Sequence, residues 1–250
     1  MPIYEPDHVE YSITSGHVKI VMDDGKQLPA YWAHPMFGRK FPGVAIIHDW
    51  WGLTAMIRHM ANLFAQMGHY VMVPDFFDGL EADTPQEAMR LVRSIGDKAY
   101  PRIAAALDVL ESHHQCNASV AAVGIGMGGS LAFEAAIRRD DLEAAVAYGG
   151  FPDRYFGQFK HANTPIYAFY GANEPHISQA NIEHLQNELQ ATEHDIPHKV
   201  ELVPTIAHEF FAESLNDAQR NHSRDVLKHT FAFLDQHLIG PKKPPRRQVY

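Results

Sequence analysis

The chain has 250 residues, of which 46% are hydrophobic and 20% are charged, and its formal net charge is −9 at pH 7. This length and composition are typical of one globular α/β domain with a sizeable core, and the acidic balance argues against nucleic acid as a partner. No apolar run approaches the roughly 20 residues of a membrane span, and no basic and apolar leader opens the chain. Because Cys116 is the single cysteine, we expect a cytoplasmic protein without an internal disulfide.

The predicted elements open with strands and then alternate between strands and helices. Residues 8–13 and 17–22 each mix β-branched and polar residues, and Asp23-Asp24-Gly25 supplies hairpin chemistry before the next strand. Residues 44–48 form a continuous apolar run, as in a strand covered on both faces. The later predicted strands are residues 70–74, 119–124, 144–148, 165–170 and 199–203, and the later predicted helices are residues 56–67, 102–113, 181–190 and 216–237, with further helices starting at Pro85 and after Gly126.

Repeated strand–helix units with buried strands predict an α/β fold, in which a mostly parallel, doubly wound sheet carries helices on both faces. The sequence shows neither repeats nor a second core, so we expect a single domain over residues 1–238. Residues 239–250 concentrate prolines and basic residues without apolar periodicity. We predict a disordered tail there, because such a segment cannot bury enough apolar surface to fold.

The segment VGIGMGGSLAFEAA, residues 123–136, predicts a buried strand, a glycine-rich sharp turn and a helix. This is the layout of a nucleophile elbow, G-x-nucleophile-x-G, in which Gly124 and Gly128 are the flanking small residues. The middle position of such an elbow normally holds Ser, Cys or Asp. Here it is Gly126, which has no side chain that could attack a substrate.

Active sites of doubly wound sheets gather outside the carboxyl ends of the strands. Four predicted strands end at candidate segments, which are HDWWGL, GIGMGG, GANEP and TIAHEFF. Their order of elbow, acid and histidine is that of α/β-hydrolase triads. Together with VMVPDFF, YGGF and FYGANE, these stretches resemble the dienelactone hydrolase family over nearly the whole chain. The resemblance implies an α/β-hydrolase fold and a family activity on esters or lactones.

The resemblance also implies roles for individual residues. His208 matches the family's catalytic histidine, and Glu174 matches its acid, with Glu in place of the usual Asp. Asp49 matches a carboxylate, usually Glu, that helps to activate the thiol nucleophile, and Gly126 matches the nucleophile itself. Each side chain also has a purely structural interpretation, as a histidine at a strand end, an acid in a turn or a cap.

Two further features of the family's site can be placed on this chain. The backbone N–H groups of Met127 and Trp50 match the oxyanion hole. The family member that opens dienelactone holds the substrate carboxylate with two arginines, and those positions are Gly79 and Ala212 here. The anion clamp is therefore missing as well as the attacking atom. Aromatic residues follow several strand ends, and we expect part of them to pack as core and the rest to line an apolar pocket. These residues are Trp50, Trp51, Phe76, Phe77, Phe151, Phe210 and Phe211.

Other groups could take over the missing attack. Cys116 precedes the strand that leads into the elbow, roughly 17 Å from it at about 3.3 Å per residue, so it is excluded. Ser130 lies one helical turn beyond Gly126 and is expected to be a packing residue rather than a replacement nucleophile. A water molecule beside Gly126, activated by His208 and oriented through Glu174, is a third possibility. Glycine itself relaxes the elbow, because it adopts strained backbone conformations without a Cβ penalty.

Three functions stay open at this point. They are an ester or lactone hydrolase with an uncharged, apolar acyl portion, a catalytically silent member that binds a small ligand or a protein, and a hydrolase that uses water without a covalent intermediate. The sequence also leaves open whether Gly126 is natural or was introduced to silence an active enzyme, and it does not give the oligomeric state.

Neither a metal nor a cofactor is predicted. The seventeen histidines are scattered, with only His113 and His114 adjacent, and no metal-ligand spacing such as H-E-x-x-H occurs. There is no P-loop, and GIGMGG lacks the acidic residue near the end of the next strand that a dinucleotide site requires, because Asp140 and Asp141 precede that strand instead.

Overall fold

A computed structural model of the protein describes residues 11–192 and 196–240. The expected tail at residues 239–250 therefore lies almost entirely outside the described residues, as do residues 8–10 of the first predicted strand. Within the described ranges, no helix is both long enough and apolar enough to span a membrane.

The described chain forms eight strands, six α-helices and three short 3-10 helices. The strands are β1 (Ile13–Val21), β2 (Gln27–Pro35), β3 (Phe41–Ile47), β4 (Tyr70–Pro74), β5 (Cys116–Ile125), β6 (Ala144–Tyr148), β7 (Ile166–Gly171) and β8 (Lys199–Val203). The α-helices are α1 (Ala55–Gln66), α2 (Pro85–Ile95), α3 (Ala99–Ser112), α4 (Met127–Arg138), α5 (Gln179–Gln190) and α6 (Asp217–His237). The 3-10 helices cover Gly96–Lys98, Asp153–Tyr155 and Phe159–His161.

The strands form one sheet in the order β1-β2-β4-β3-β5-β6-β7-β8. The pairs β1–β2 and β2–β4 are antiparallel, and every pair from β4 to β8 is parallel. Helices α1 and α6 cover one face and share a hydrophobic cluster with Val44 and Ile46, and α2 to α5 cover the other and share a cluster with Ala45 and Ile47. The predicted doubly wound α/β sheet with helices on both faces is thus confirmed.

The N-terminal hairpin corrects one sequence-based expectation. Strand β1 continues through residues 14–16, which were predicted to separate two strands, because Gly16 does not interrupt the ladder but pairs with Trp32 of β2. A Cβ at Gly16 would meet the Trp32 ring at 3.6 Å, so the large ring fills the space beside the glycine. The predicted turn is confirmed, since Gly25 has a φ of +79° and Met22 N–H donates to the Lys26 carbonyl at 2.8 Å.

Three elements also start three residues earlier than the sequence predicted, the first being β3, which begins at Phe41 rather than at residue 44. Helix α3 begins at Ala99 rather than near residue 102, and β5 begins at Cys116 rather than at residue 119. The sequence pattern did not predict residues 116–118 as strand. In this early part of β5 the pairing with β3 shifts register, from Phe41 opposite Cys116 to Gly43 opposite Val120. Cys116 therefore opens the strand that was expected to follow it, and it still lies at the opposite end of β5 from Gly126.

Candidate active site

Gly126 occupies a sharp turn between the end of β5 and the start of α4. Its φ is +54° and its ψ is −116°, and its N–H donates to the Tyr148 carbonyl at 2.8 Å. A Cβ at Gly124 would lie 1.9 Å from the carbonyl oxygen of Gly128, and a Cβ at Gly128 would lie 2.0 Å from that of Ile47. The two flanking glycines are therefore required by the close approach of α4 to the sheet, whereas a Cβ at Gly126 would meet nothing closer than 3.5 Å.

Two of the predicted site residues lie next to position 126. A Cβ there would stand 3.7 Å from Nε2 of His208 and 3.5 Å from Cβ of Asp49, which are its nearest neighbours among the described residues apart from the adjoining chain. Asp49 follows β3, Gly126 follows β5 and His208 follows β8. The carboxyl ends of three parallel strands thus bring these residues together, as the sequence predicted for this edge of the sheet.

Glu174 holds the ring of His208. Nδ1 of His208 lies 2.8 Å from one carboxylate oxygen of Glu174, and the other oxygen accepts the backbone N–H of His176 at 2.8 Å. The Glu174 side chain is only 2% exposed. Burial alone raises the pKa of Glu174, but the hydrogen bonds from His208 and His176 outweigh it and the net pKa is lowered. An ionised Glu174 keeps a proton on Nδ1, so that Nε2, the nitrogen facing position 126, can accept one.

The His208 ring is packed against its surroundings as well. Its Cε1 would be 2.9 Å from a Cβ at Gly149, which has a φ of +60°, so a side chain at position 149 would displace the ring. The rings of His176 and Phe151 have their centroids 5.0 and 5.7 Å from that of His208. Together with the Glu174 bond, these contacts fix the direction of Nε2.

Asp49 lies in the turn after β3 and accepts the backbone N–H of Trp51 at 2.9 Å. Burial raises the pKa of Asp49 to about 6, against the opposing effect of the Trp51 hydrogen bond, and the negative charge of Glu209 raises it further. Asp49 therefore exchanges its proton in the pH range where histidine also titrates.

The two backbone N–H groups expected to form an oxyanion hole, those of Trp50 and Met127, have no hydrogen-bond partner in the described part of the chain. By contrast, the next two N–H groups of the turn after β3 are both used, since Trp51 donates to the Asp49 side chain and Gly52 to the Asp49 carbonyl. Unpaired, fixed N–H groups are the donors that an oxyanion hole requires.

His48 is a buried polar residue beside this turn that the sequence interpretation did not single out. The residue is fully buried, its Nδ1 lies 2.7 Å from the Asp49 carbonyl oxygen, and its Nε2 accepts the backbone N–H of Phe76 at 3.1 Å. Burial lowers the pKa of His48. In the sequence, His48 stands out only as a polar residue directly after an apolar strand. That position does not reveal its two backbone hydrogen-bond partners.

The seven aromatic candidates differ in burial. Three are almost completely buried and belong to the core, namely Phe76, Phe77 and Phe210. Four keep exposed surface near the turns that follow the strands, namely Trp50, Trp51, Phe151 and Phe211. A pocket-lining role therefore stays a prediction for the second group, in which the Trp50 and Trp51 rings contact each other at a centroid distance of 5.1 Å.

The two alternative nucleophiles occupy structural positions. The hydroxyl oxygen of Ser130 accepts the backbone N–H of Phe151 at 2.8 Å and so ties the loop after β6 to α4. Cys116 is buried, and burial raises the pKa of its thiol. Buried thiols with raised pKa values are poor nucleophiles, because the reactive species is the thiolate.

Gly79 and Ala212, the two positions that the sequence analysis matched to the family's arginines, carry no charge in this chain. The N–H of Gly79 donates to the Asp75 carboxylate at 2.7 Å in the turn after β4. Ala212 lines a cavity of about 270 Å³ between α1 and α6, which also touches Phe211 and Arg220 but not His208 or Gly126. In the described residues, no group of three or more His, Cys, Asp or Glu side chains could hold a metal ion.

Comparison with known proteins places this chain in a family. The model of the dienelactone hydrolase family matches residues 28–238. Protein usf of Aquifex pyrophilus is 26% identical over 225 residues, which cover 86% of this chain and 96% of that protein.

Solved structures show the same fold. A dienelactone hydrolase from Anabaena variabilis superposes with a TM-score of 0.69 at 18% identity, over 90% of this chain and 99% of that one. A dienelactone hydrolase-like promiscuous phosphotriesterase from metagenomic libraries gives 0.77 at 19% identity, over 89% and 98%. The chain has the α/β-hydrolase fold, and its match to the family model over most of its length shows that it belongs to the dienelactone hydrolase family.

Proposed function

We propose that this chain acts on small esters or lactones, and that it does so without forming an acyl-enzyme. The observation that carries the proposal is the position of His208 Nε2, which faces a turn residue with no side chain while Glu174 holds the opposite side of the ring. In this proposal the turn at Gly126 is a nucleophile elbow that keeps its histidine and acid without the attacking atom.

The reaction that fits these residues uses water. His208 Nε2 removes a proton from a water molecule beside Gly126 while the water oxygen forms a bond to the carbonyl carbon of the ester. The carbonyl oxygen becomes an oxyanion that accepts hydrogen bonds from the N–H groups of Trp50 and Met127. When the tetrahedral intermediate collapses, the bond to the leaving oxygen breaks, and protonated His208 returns its proton to that oxygen.

The expected rate is modest. General-base assistance contributes about 10²–10⁴-fold. A triad that has lost its nucleophile retains about 10³–10⁴-fold catalysis over water, from oxyanion stabilisation and binding. The chain is therefore proposed to be slow beside an enzyme with the full triad.

The proposed substrate has an uncharged acyl portion. Glycine and alanine stand where the dienelactone-opening relative holds a carboxylate with arginines, so a carboxylate on the substrate would have no cation in those places. The half-buried rings of Trp50 and Trp51 and the exposed ring of Phe151 offer apolar contacts near the site instead. Because the net charge of the chain is −9, the ligand is proposed to be a small molecule rather than nucleic acid.

A silent member that only binds such a ligand is the second candidate. The missing side chain at Gly126 favours it directly, because it removes the atom on which the family's covalent chemistry depends. In that case the site would bind the same uncharged esters or lactones and release them unchanged.

Hydrolysis of 4-nitrophenyl acetate and butyrate separates the two functions. The unmodified chain should hydrolyse both esters faster than His208→Ala and should show no acyl adduct by intact mass spectrometry. Gly126→Ala is the matched control, because its methyl group would occupy the place proposed for water and should reduce the rate to that of His208→Ala. Equal rates for all three proteins would support the silent member, and an acyl adduct on the unmodified chain would overturn the proposal of noncovalent hydrolysis.

A further inference from the structure

The carbonyl of Asp49 and the N–H of Trp50 belong to one peptide group. The described chain contains no cis peptide bond, so this carbonyl and this N–H point in opposite directions. Whatever fixes the Asp49 carbonyl therefore also fixes the direction of the Trp50 N–H. That N–H has no partner in the described part of the protein.

Two donors converge on the Asp49 carbonyl oxygen. Nδ1 of His48 lies 2.7 Å away, and the N–H of Gly52 lies 3.4 Å away at the edge of hydrogen-bond distance. The hydrogen bond from His48 is thus the shorter of the two and is the main restraint on the peptide. A hydrogen bond to a peptide carbonyl also polarises the group, which strengthens the N–H at its other end as a donor.

The partners of His48 assign its tautomer. A carbonyl oxygen can only accept, so Nδ1 carries the proton, and the Phe76 N–H can only donate, so Nε2 carries a lone pair. Protonating Nε2 would break the bond from Phe76 and place a charge on a fully buried ring. The arrangement accommodates one neutral form of the imidazole.

The second partner of His48 belongs to a turn that is itself fixed. The Asp75 carboxylate accepts the N–H groups of Phe77 at 2.9 Å and Gly79 at 2.7 Å, and the Arg102 guanidinium donates to the Phe76 carbonyl at 2.5 Å. The His48 ring also contacts the Phe76 and Phe77 rings, with centroid distances of 4.8 and 5.0 Å. The turn after β4 therefore holds the ring, and the ring holds the peptide after β3.

We propose that His48 is a positioning residue that locks the Asp49–Trp50 peptide with the Trp50 N–H available to an oxyanion. The inference rests on the proposed function in one respect, namely that the Trp50 N–H serves as an oxyanion donor. In this inference His48 does not touch the substrate itself but keeps the peptide that carries one of the two proposed donors from rotating.

Two substitutions with amide side chains test the two hydrogen bonds of His48 separately. The side-chain nitrogen of Asn reaches about as far as Nδ1, so His48→Asn keeps a donor for the Asp49 carbonyl. The side-chain oxygen of Gln reaches about as far as Nε2, so His48→Gln keeps an acceptor for Phe76 and loses the lock. For ester hydrolysis, His48→Gln should lower kcat by about 10²-fold, the effect of losing one oxyanion donor, with KM unchanged. His48→Asn should retain most of kcat, whereas equal losses in the two variants would overturn the proposal.

Nuclear magnetic resonance tests whether His48 holds the Asp49–Trp50 peptide, and it does not depend on catalytic turnover. In the ¹⁵N-labelled unmodified chain, His48 should show a protonated Nδ1 and an unprotonated Nε2 throughout the range from pH 5 to pH 8. Adding butyrate, a product carboxylate, should shift the Trp50 amide resonance in the unmodified chain and in His48→Asn but not in His48→Gln.

These results separate the inference from the proposed function. If the tautomer and the Trp50 response are as expected but no ester is hydrolysed, the positioning role of His48 stands and the proposed hydrolase function is refuted. The opposite tautomer, or a Trp50 amide that responds equally in His48→Gln, would overturn the lock even if the chain hydrolyses esters.

Discussion

Nε2 of His208 lies 3.7 Å from the place that a Cβ at Gly126 would occupy. This distance is short enough for a hydroxyl or thiol on that Cβ to reach the nitrogen, and apart from the two adjoining residues no other described side chain except Asp49 comes within 4 Å of the same point. There is therefore room beside His208 for a side chain at position 126, which is what the proposed nucleophile elbow requires.

Gly126→Cys should create an ester hydrolase that forms an acyl-enzyme. The thiol would gain His208 as its base and the N–H groups of Trp50 and Met127 as oxyanion donors. We expect a burst of 4-nitrophenol in stopped-flow measurements and a mass increase of one acyl group on the protein. Adding His208→Ala should abolish both, and a Gly126→Cys variant no faster than the unmodified chain would contradict the proposed elbow.

The same substitution should lower stability, because position 126 has a φ of +54°. A residue with a side chain in such a region costs about 1–3 kcal/mol. Gly126→Ala carries the same backbone cost without a thiol, so it should match Gly126→Cys in urea denaturation while forming no acyl-enzyme. Different losses in the two variants would show that contacts of the thiol, rather than the backbone, determine the stability.

Gly128→Ala should destabilise the protein more than Gly126→Ala. Its Cβ would lie 2.0 Å from the Ile47 carbonyl oxygen, so α4 would have to move away from the sheet, whereas a Cβ at position 126 fits without a clash. We expect a loss of about 3 kcal/mol or more, the upper range for overpacking of a close contact. Equal unfolding midpoints for the two alanine variants would contradict this account of the turn.

The sequence was sufficient to predict which site residues come together at the ends of the parallel strands. Asp49, Gly126 and His208 could be placed together because each lies in the segment that follows a predicted parallel strand, and such strands end at one edge of the sheet. The glycines around position 126 carried a signal of their own, since close helix–strand packing leaves no room for a Cβ.

The role of His48 could not be predicted in the same way. Its hydrogen-bond partners are the Asp49 carbonyl and the Phe76 N–H, and backbone groups leave no trace in residue identity. The burial of Phe210 beneath α6 likewise depends on where that helix crosses the sheet. The antiparallel pairing of β2 with β4 is a third example, because local hydrophobic patterns define a strand but not its neighbour.

Glu174→Gln should change the pH dependence of stability on the acid side. The pKa of Glu174 is lowered in the folded protein from an ordinary value of 4.5, so its ionised form stabilises the fold above that value, and this contribution disappears as the pH falls through the folded pKa. The unmodified chain should exceed Glu174→Gln in free energy of unfolding at pH 7, and the difference should shrink below about pH 4.5. A difference that stays constant from pH 7 to pH 3 would contradict an ionised Glu174 bound to His208.

Asp49→Asn should have the opposite sign and a different pH range. The pKa of Asp49 rises from 3.8 to about 6 on folding, so its contribution to stability is complete below 3.8 and is lost as the pH rises through 6. Asparagine keeps an oxygen for the Trp51 N–H but cannot ionise. Above pH 7 the variant should therefore be more stable than the unmodified chain, by about 1–3 kcal/mol, and at pH 4 this advantage should vanish. Urea unfolding at both pH values measures it, and a variant less stable at pH 8 than at pH 4, relative to the unmodified chain, would show that the Asp49 carboxylate is stabilised rather than strained by its burial.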